Sequence, residues 1–264
     1  MKVSFESKAN GTLSQVVLSE YPYIDIKNIK RQITLKEAKV DGVRVSRDVD
    51  VNFGEKVDIF FPESMIPKVR IKYADDNIVI AYKDAGLETV GQFDLLIKTK
   101  YTDSEPLHRL DRNTRGLVVF ARGGIVDCLP QGVRKFYLAE VVGKVKNNKA
   151  TLNAYLFKDS KKSLVYISDT AKVGYMPITT AYKVVEYRPH TTLLEVELIT
   201  GRTHQIRAHL KHIGHPLAGD GKYGDNRFNK EYGFARQQLC AYKLVFGDML
   251  PPLDYMSGKV FEIK

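Results

Sequence analysis

The stretch LHRLDRNTRGLVVFAR (107–122) gathers His108, Arg109, Asp111 and Arg112 just ahead of an apolar run. A single carboxylate among cations has two readings. It can be a loop salt bridge that anchors the strand behind it. It can also be an Asp held ionised by a nearby guanidinium, and such an Asp suits nucleophilic or general-base work at neutral pH. A second group, His204, His209, His212 and His215 with Asp220, has the residue types of a metal site. On a helix, however, His209 lies about 140° and His212 about 80° from His204, so they do not converge as an H-E-x-x-H pair does. No metal is expected there, and the histidines read as groups that orient a helix.

Several strands must carry these side chains. IVIAYK (78–83), GLVVFAR (116–122), FYLAEVVGKV (136–145), TAYKVVEY (180–187) and TLLEVELI (192–199) are rich in β-branched and aromatic residues. Leu194, Val196 and Leu198 alternate with Glu195 and Glu197, which gives a strand with one buried face. The clearest helix follows Gly201, where Ile206, Leu210 and Ile213 form an i, i+4, i+7 stripe and Gly214 takes the C-terminal cap position. Strands outnumber helices without a regular βαβ alternation. The expected class is α+β, around a mixed and largely antiparallel sheet with a central cleft.

The first 61 residues read as a separate module. Thr12 and Gln15 have the spacing of a capping box, Leu13, Val16 and Val17 share a face, and Pro22 closes the segment. Ile26, Ile29 and Ile33 predict a second helix over 26–36. Asp41-Gly42 signals a two-residue hairpin, and VDVNFGEKVDIFF alternates like a strand broken by a turn at Gly54. PESMIPK (62–68) has two prolines and no periodicity, so it reads as a linker. The expected organisation is a small domain over 1–66, a linker at about 62–70, and a larger domain over 67–264.

The chain has 264 residues with 41 Lys+Arg and 31 Asp+Glu, a net charge of +10. Residues 1–61 hold 10 bases and 9 acids, a net of +1, which leaves +9 of the +10 for the rest. Such an excess points to nucleic acid or an anionic surface as partner. Within the small module Lys27, Lys30, Arg31, Lys36, Lys39, Arg44 and Arg47 face only Glu37 and Asp41 in sequence. That run is either a solvated face or a patch that tracks phosphates. No apolar stretch approaches the ~20 residues of a membrane helix, and MKVSFESKANG lacks the apolar core of a secretion signal. Cys128 and Cys240 are too few for a disulfide framework or a four-Cys zinc site. There is no Walker-type phosphate loop. The expectation is a monomeric, cytoplasmic protein that needs no cofactor, metal or membrane.

HRLDRNTRGL resembles the His-Arg-Leu-Asp-Arg-x-Thr-x-Gly-Leu signature of RluA-type pseudouridine synthases. KFYLAEVVGKV (135–145) is similar to the second motif of that family, with Tyr137 at the tyrosine position. LLEVELITGRTHQIRAHLKHIGHPLAGDGKYG (193–224) is similar to the third, with Arg207 where an arginine pairs with the catalytic aspartate. IVIAYKDAGL (78–87) and RQQLCAYKLVF (236–246) resemble the opening and a late strand of the catalytic domain. The run KEAKVDGVRVSRDVDVNFGEKVDIF resembles the alpha-L RNA-binding domain, and that arrangement is similar to the RluD-like branch. The chain departs from the pattern at Asn113, Arg115 and Cys240, where an acidic, a small and a histidine residue are usual.

The resemblance implies isomerisation of uridine in structured RNA, with large-subunit ribosomal RNA first and transfer RNA second. It implies catalytic roles for Asp111, Tyr137 and Arg207: a carboxylate at the anomeric carbon, a ring that stacks on uracil and assists the final proton removal, and a guanidinium that aims the carboxylate. The base must be flipped out of its helix, and Arg109 is placed to fill the vacated stack. His108, Arg112, Arg202 and His204 are implied as further RNA contacts, with Lys30, Arg31, Lys39 and Arg44 in the small domain. Two other readings share these residues. One is an RNA-binding assembly factor without catalysis, and the other is a hydrolytic nucleosidase that would release free uracil.

Overall fold

The computed structural model describes residues 1–125 and 132–263, so Cys128 lies outside the described residues. They fall into two compact units, Met1–Val69 with Val90–Thr102, and Arg70–Thr89 with Asp103–Lys264.

The first unit runs β1 (Lys2–Glu6), β2 (Gly11–Thr12), α1 (Leu13–Glu20), α2 (Ile26–Thr34), β3 (Ala38–Val40), β4 (Val43–Val45), β5 (Asp50–Val51) and β6 (Lys56–Phe60), with α3 (Asp94–Lys98) from the later segment. At the start of α1 the Thr12 amide donates to Gln15 Oε1 at 3.0 Å, the capping-box contact that the spacing predicts. Asp25 caps α2 by accepting from the Lys27 amide at 2.8 Å. Asp41 and Gly42 both have positive φ, 46° and 78°, which is what a two-residue hairpin turn demands. The apolar stripes of both helices, Leu13, Val16, Val17, Ile29 and Ile33, meet Val3, Val57 and Ile59 in one core. The strand order is β1-β6-β3-β4. The reading of two helices followed by a hairpin omits β1, whose register along β6 is set entirely by the far end of the module.

The second unit holds β7 (Arg70–Ala74), β8 (Ile78–Lys83), β9 (Glu105–Pro106), β10 (Arg115–Ala121), β11 (Val133–Val142), β12 (Lys149–Asp159), β13 (Leu164–Ser168), β14 (Met176–Tyr187) and β15 (Thr191–Leu198), then α4 (Gln205–His212), α5 (Asn226–Glu231), β16 (Leu239–Phe246) and β17 (Val260–Glu262). The main sheet is ordered β13-β12-β14-β15-β11-β16-β10-β8-β7, with β17 on β16 and β9 on β10. Among the described residues every pairing in it is antiparallel except β10 with β16. The fold is therefore α+β on a mixed, largely antiparallel sheet, as expected. No described helix is long and apolar enough to cross a membrane.

The parallel seam depends on a missing side chain. Gly116 has φ +128°, and a Cβ there would lie 2.2 Å from the Ala241 carbonyl oxygen. Neither backbone can retreat without breaking the pairing. Gly116→Ala should cost on the order of 3 kcal/mol through clash and strain, read as a lowered urea midpoint with the m-value unchanged.

Candidate active site

Asp111 is presented by a short loop that is pinned from below. Its neighbour Leu110 is buried; the Leu110 amide donates to Thr89 Oγ1 and the Leu110 carbonyl accepts from that hydroxyl, both at 3.0 Å. A tight turn follows, with the Thr114 amide donating to the Asp111 carbonyl before β10 begins. Lys83, at the end of β8, is wholly buried. Its Nζ donates to the carbonyls of Asp84 (3.1 Å), Leu87 (2.7 Å) and Arg112 (3.1 Å), so one ammonium ties the β8 end to the Asp111 loop. Burial pushes the Lys83 amine down to about 8, against the opposing charges of Asp111 and Asp84. Activity should therefore fall as pH rises through about 8, because the charged form makes these bonds. In a pH–rate profile, Lys83→Met should lose both rate and this alkaline limb.

The opposite wall comes from α4. Arg207 donates from Nη1 to Asp111 Oδ2 at 2.9 Å. Its other two nitrogens donate to Asp220, Nε to Oδ2 at 2.7 Å and Nη2 to Oδ1 at 2.9 Å. Asp220 is wholly buried and also accepts the amides of Lys222 and Tyr223. Burial works against the charge on Arg207, yet Asp220 and then Asp111 outweigh it and hold the guanidinium more firmly protonated than usual. Burial likewise opposes the Asp220 charge, and Arg207 with the two amides overcomes it, leaving the carboxyl below its usual range. A fixed fork thus aims one carboxylate into the cleft by gripping a second one beneath.

Tyr137, from the middle of β11, completes the floor. Burial, and then the charge of Asp111, push its hydroxyl upward, so it stands as a neutral phenol. Stacking suits such a ring. The cleft brings together Arg109, Asp111, Tyr137, Arg202, His204 and Arg207. A larger cavity of about 540 Å³ opens against Phe136, Thr151 and Ala181. Its acids are already committed, Glu195 to Lys183, Lys243 and Tyr242, and Glu197 to Arg134.

His108 is corrected. Its Nε2 accepts from the Val119 amide at 3.2 Å, its Nδ1 is buried, and burial, then Lys135, push the ring down to about 3. It anchors β10 from within, because the strand's inward edge offers an amide that needs an acceptor. Arg112 stays exposed, with Nε donating to the Gly86 carbonyl at the loop's rim. In the other unit Lys30, Arg31, Lys39 and Arg44 are all exposed. The small sheet divides them. Lys39 and Arg44 are cross-strand partners on the face away from the apolar core, whereas Lys30 and Arg31 ride on α2, which packs against the other face.

The remaining histidines go separate ways: His209 to Thr180 Oγ1, His212 to Asp169 and His215 to the Val142 carbonyl. Sequence reasoning missed Lys83, Thr89 and Tyr223, and weighed Asp220 only as a metal ligand. A lone Lys closing a buried apolar strand was the available signal for Lys83. Two of the three departures from the family pattern, Arg115 and Cys240, are register partners across the β10–β16 seam. A long residue thus faces a short one across that seam.

The RNA pseudouridylate synthase family matches residues 77–212. Ribosomal large subunit pseudouridine synthase C of Vibrio vulnificus is 34% identical over 194 residues, 67% of this chain and 60% of that protein. The proteins of the same name from Vibrio parahaemolyticus and Salmonella typhi are 32% and 34% identical, over 80% and 73% of this chain and 70% and 69% of theirs. The chain thus spans between 60% and 70% of the length of these curated relatives. Among solved structures, human RNA pseudouridylate synthase domain containing 1 superposes with a TM-score of 0.59 at 21% identity, over 75% of this chain and 91% of that one. That likeness is one of fold.

Proposed function

The chain belongs to the RNA pseudouridylate synthase family, and from that premise we propose that it converts uridine to pseudouridine in folded large-subunit ribosomal RNA. The reaction breaks the bond from the sugar C1′ to uracil N1 and forms one from C1′ to C5. The C5 proton is lost and N1 gains one, so atoms balance without an external reagent. Asp111 acts at the anomeric carbon, Arg207 aims it, and Tyr137 stacks the uracil while it turns. Arg109, exposed at the rim two residues before Asp111, fills the gap that the extruded base leaves. Extrusion costs a few kcal/mol, which phosphate contacts from the basic second unit offset.

The observation that carries this reading is the Asp111–Arg207–Asp220 arrangement opening beside Tyr137. The names of the curated relatives favour ribosomal over transfer RNA. The small first unit, with its exposed bases, serves as an alpha-L-type domain that grips RNA backbone. The test is to incubate the protein with a large-subunit ribosomal RNA transcript, map pseudouridines, and assay free uracil. New pseudouridine with no released base is expected. Released uracil would show a hydrolase, and binding without modification would show an assembly factor.

A further inference from the structure

His204 precedes α4 with φ 53°, a left-handed conformation that a non-glycine residue adopts at a cost and that calls for a reason. The effect of that bend is to turn the imidazole back over Tyr223, whose hydroxyl lies 2.9 Å from Nδ1, with the rings edge to face at 5.5 Å. Tyr223 is buried, and its hydroxyl oxygen already accepts the Val165 amide at 2.9 Å. Among the described residues, the Tyr223 proton has one acceptor in reach, which is Nδ1. If Nδ1 carried a proton, two donors would face each other and the buried phenol would be left unsatisfied. The ring is therefore held with its single proton on Nε2. His204 is among the residues lining the cleft, and its Nε2 lies 3.9 Å from Asp111 Oδ2, beyond hydrogen-bond distance.

From this geometry we propose that His204 is a catalytic residue, a neutral N–H donor to a uracil carbonyl oxygen, locked in its tautomer by Tyr223. The inference rests on the pseudouridine synthase reading above. When the C1′–N1 bond breaks, its electron pair stays with the base, and the negative charge spreads to the carbonyl oxygens. A donor fixed beforehand at that oxygen stabilises the charge as it develops, and no proton need be transferred. An uncharged donor suits the position, since a cation would be drawn to Asp111 instead of to the substrate. The charged groups acting on His204 are Asp111, Arg207, Lys222 and Asp220, and burial, the largest influence, lowers its basicity.

The first test needs no turnover. In the full chain with ¹⁵N-labelled histidine, His204 at pH 7 should show a protonated Nε2 and an unprotonated Nδ1, and Tyr223→Phe should abolish that preference. A protonated Nδ1 overturns the proposal whatever the enzyme does. The second test uses single-turnover pseudouridine formation and RNA affinity on the ribosomal RNA transcript. His204→Ala should slow the chemical step about 10²–10³-fold with affinity nearly unchanged. His204→Gln, which keeps a donor at the Nε2 position, should recover at least about tenfold of that loss. Tyr223→Phe should move the acid limb of the rate profile toward neutrality, because the imidazolium is no longer disfavoured. An unchanged rate in His204→Ala, or a loss confined to affinity, overturns the proposal. A wild-type protein that forms no pseudouridine refutes the functional reading instead, and the labelled-histidine result still decides the tautomer.

Discussion

The Asp111→Ala protein will form no measurable pseudouridine and will still bind RNA. In the proposed reaction this carboxylate is the reacting group, and loss of a group that acts in concert with its neighbours removes most of the rate, at least about 10⁴-fold. The fold should tolerate the change. The Asp111 side chain is 23% exposed, and Arg207 keeps both of its bonds to Asp220 when Asp111 is gone. The guanidinium is thus not left as an unpaired buried charge. A gel-shift affinity within about threefold of wild type, beside a flat tritium-release trace from 5-tritiated uridine, is the expected pair of results. Substantial turnover in this variant would remove Asp111 from the reaction.

The Asp220→Ala protein will be both unstable and slow, for a reason that separates it from Asp111→Ala. Asp220 is wholly buried, and its loss strands Arg207 with one partner at the cleft and none beneath. Breaking a buried pair from one side costs about 3–5 kcal/mol, which for a domain of this size lowers Tm by roughly 6–20 °C. The guanidinium, free to swing, then misplaces Asp111, and a displacement of about 1 Å costs on the order of 10² in rate. The sign with pH is fixed as well. The Asp220 carboxyl sits below its usual range when folded, so its stabilisation is complete above the unfolded value of about 3.9 and is lost as pH falls through the folded one. Acid unfolding of Asp220→Asn should therefore be shallower below about pH 4 than that of wild type. A double-mutant cycle with Arg207→Met should show strong coupling; additive losses would mean the two side chains act independently.

Much of this was legible before any coordinates. Asp111 stood out as a carboxylate among cations just ahead of an apolar strand, whereas Tyr137 and Arg207 stood out through the resemblance of their runs to the family's motifs, on a strand and a helix that the residue patterns predict. Gly214 ends the α4 turn with φ 87°, and Gly42 makes the hairpin as its neighbours require. What stayed hidden depends on partners remote in sequence. Asp220 has the composition of a turn acid, and only the fold places it beneath Arg207. His108 stands beside the reactive loop in sequence, but the chain turns its ring inward to Val119. Strand β12 begins on Lys149 and ends on Asp159, and the apolar residues of β12 and β13, Ala154, Leu156 and Val165, make sense only once Ala208 and Tyr223 cover them. The N-terminal strand has no partner until β6 is made.

The parallel seam sets the order of events during synthesis. Strand β16 is inserted between β11 and β10, so it separates two stretches that leave the ribosome long before it does. Until it arrives, the loop bearing Asp111 and the wall bearing Arg207 belong to two half-sheets with an open edge each. Such long-range closure is slow and leaves unpaired edges exposed meanwhile. A nascent chain therefore brings Asp111 and Arg207 together only once β16 has joined the sheet, and on the proposed reading a molecule cut short before Leu239 should form no pseudouridine however well its earlier parts had folded.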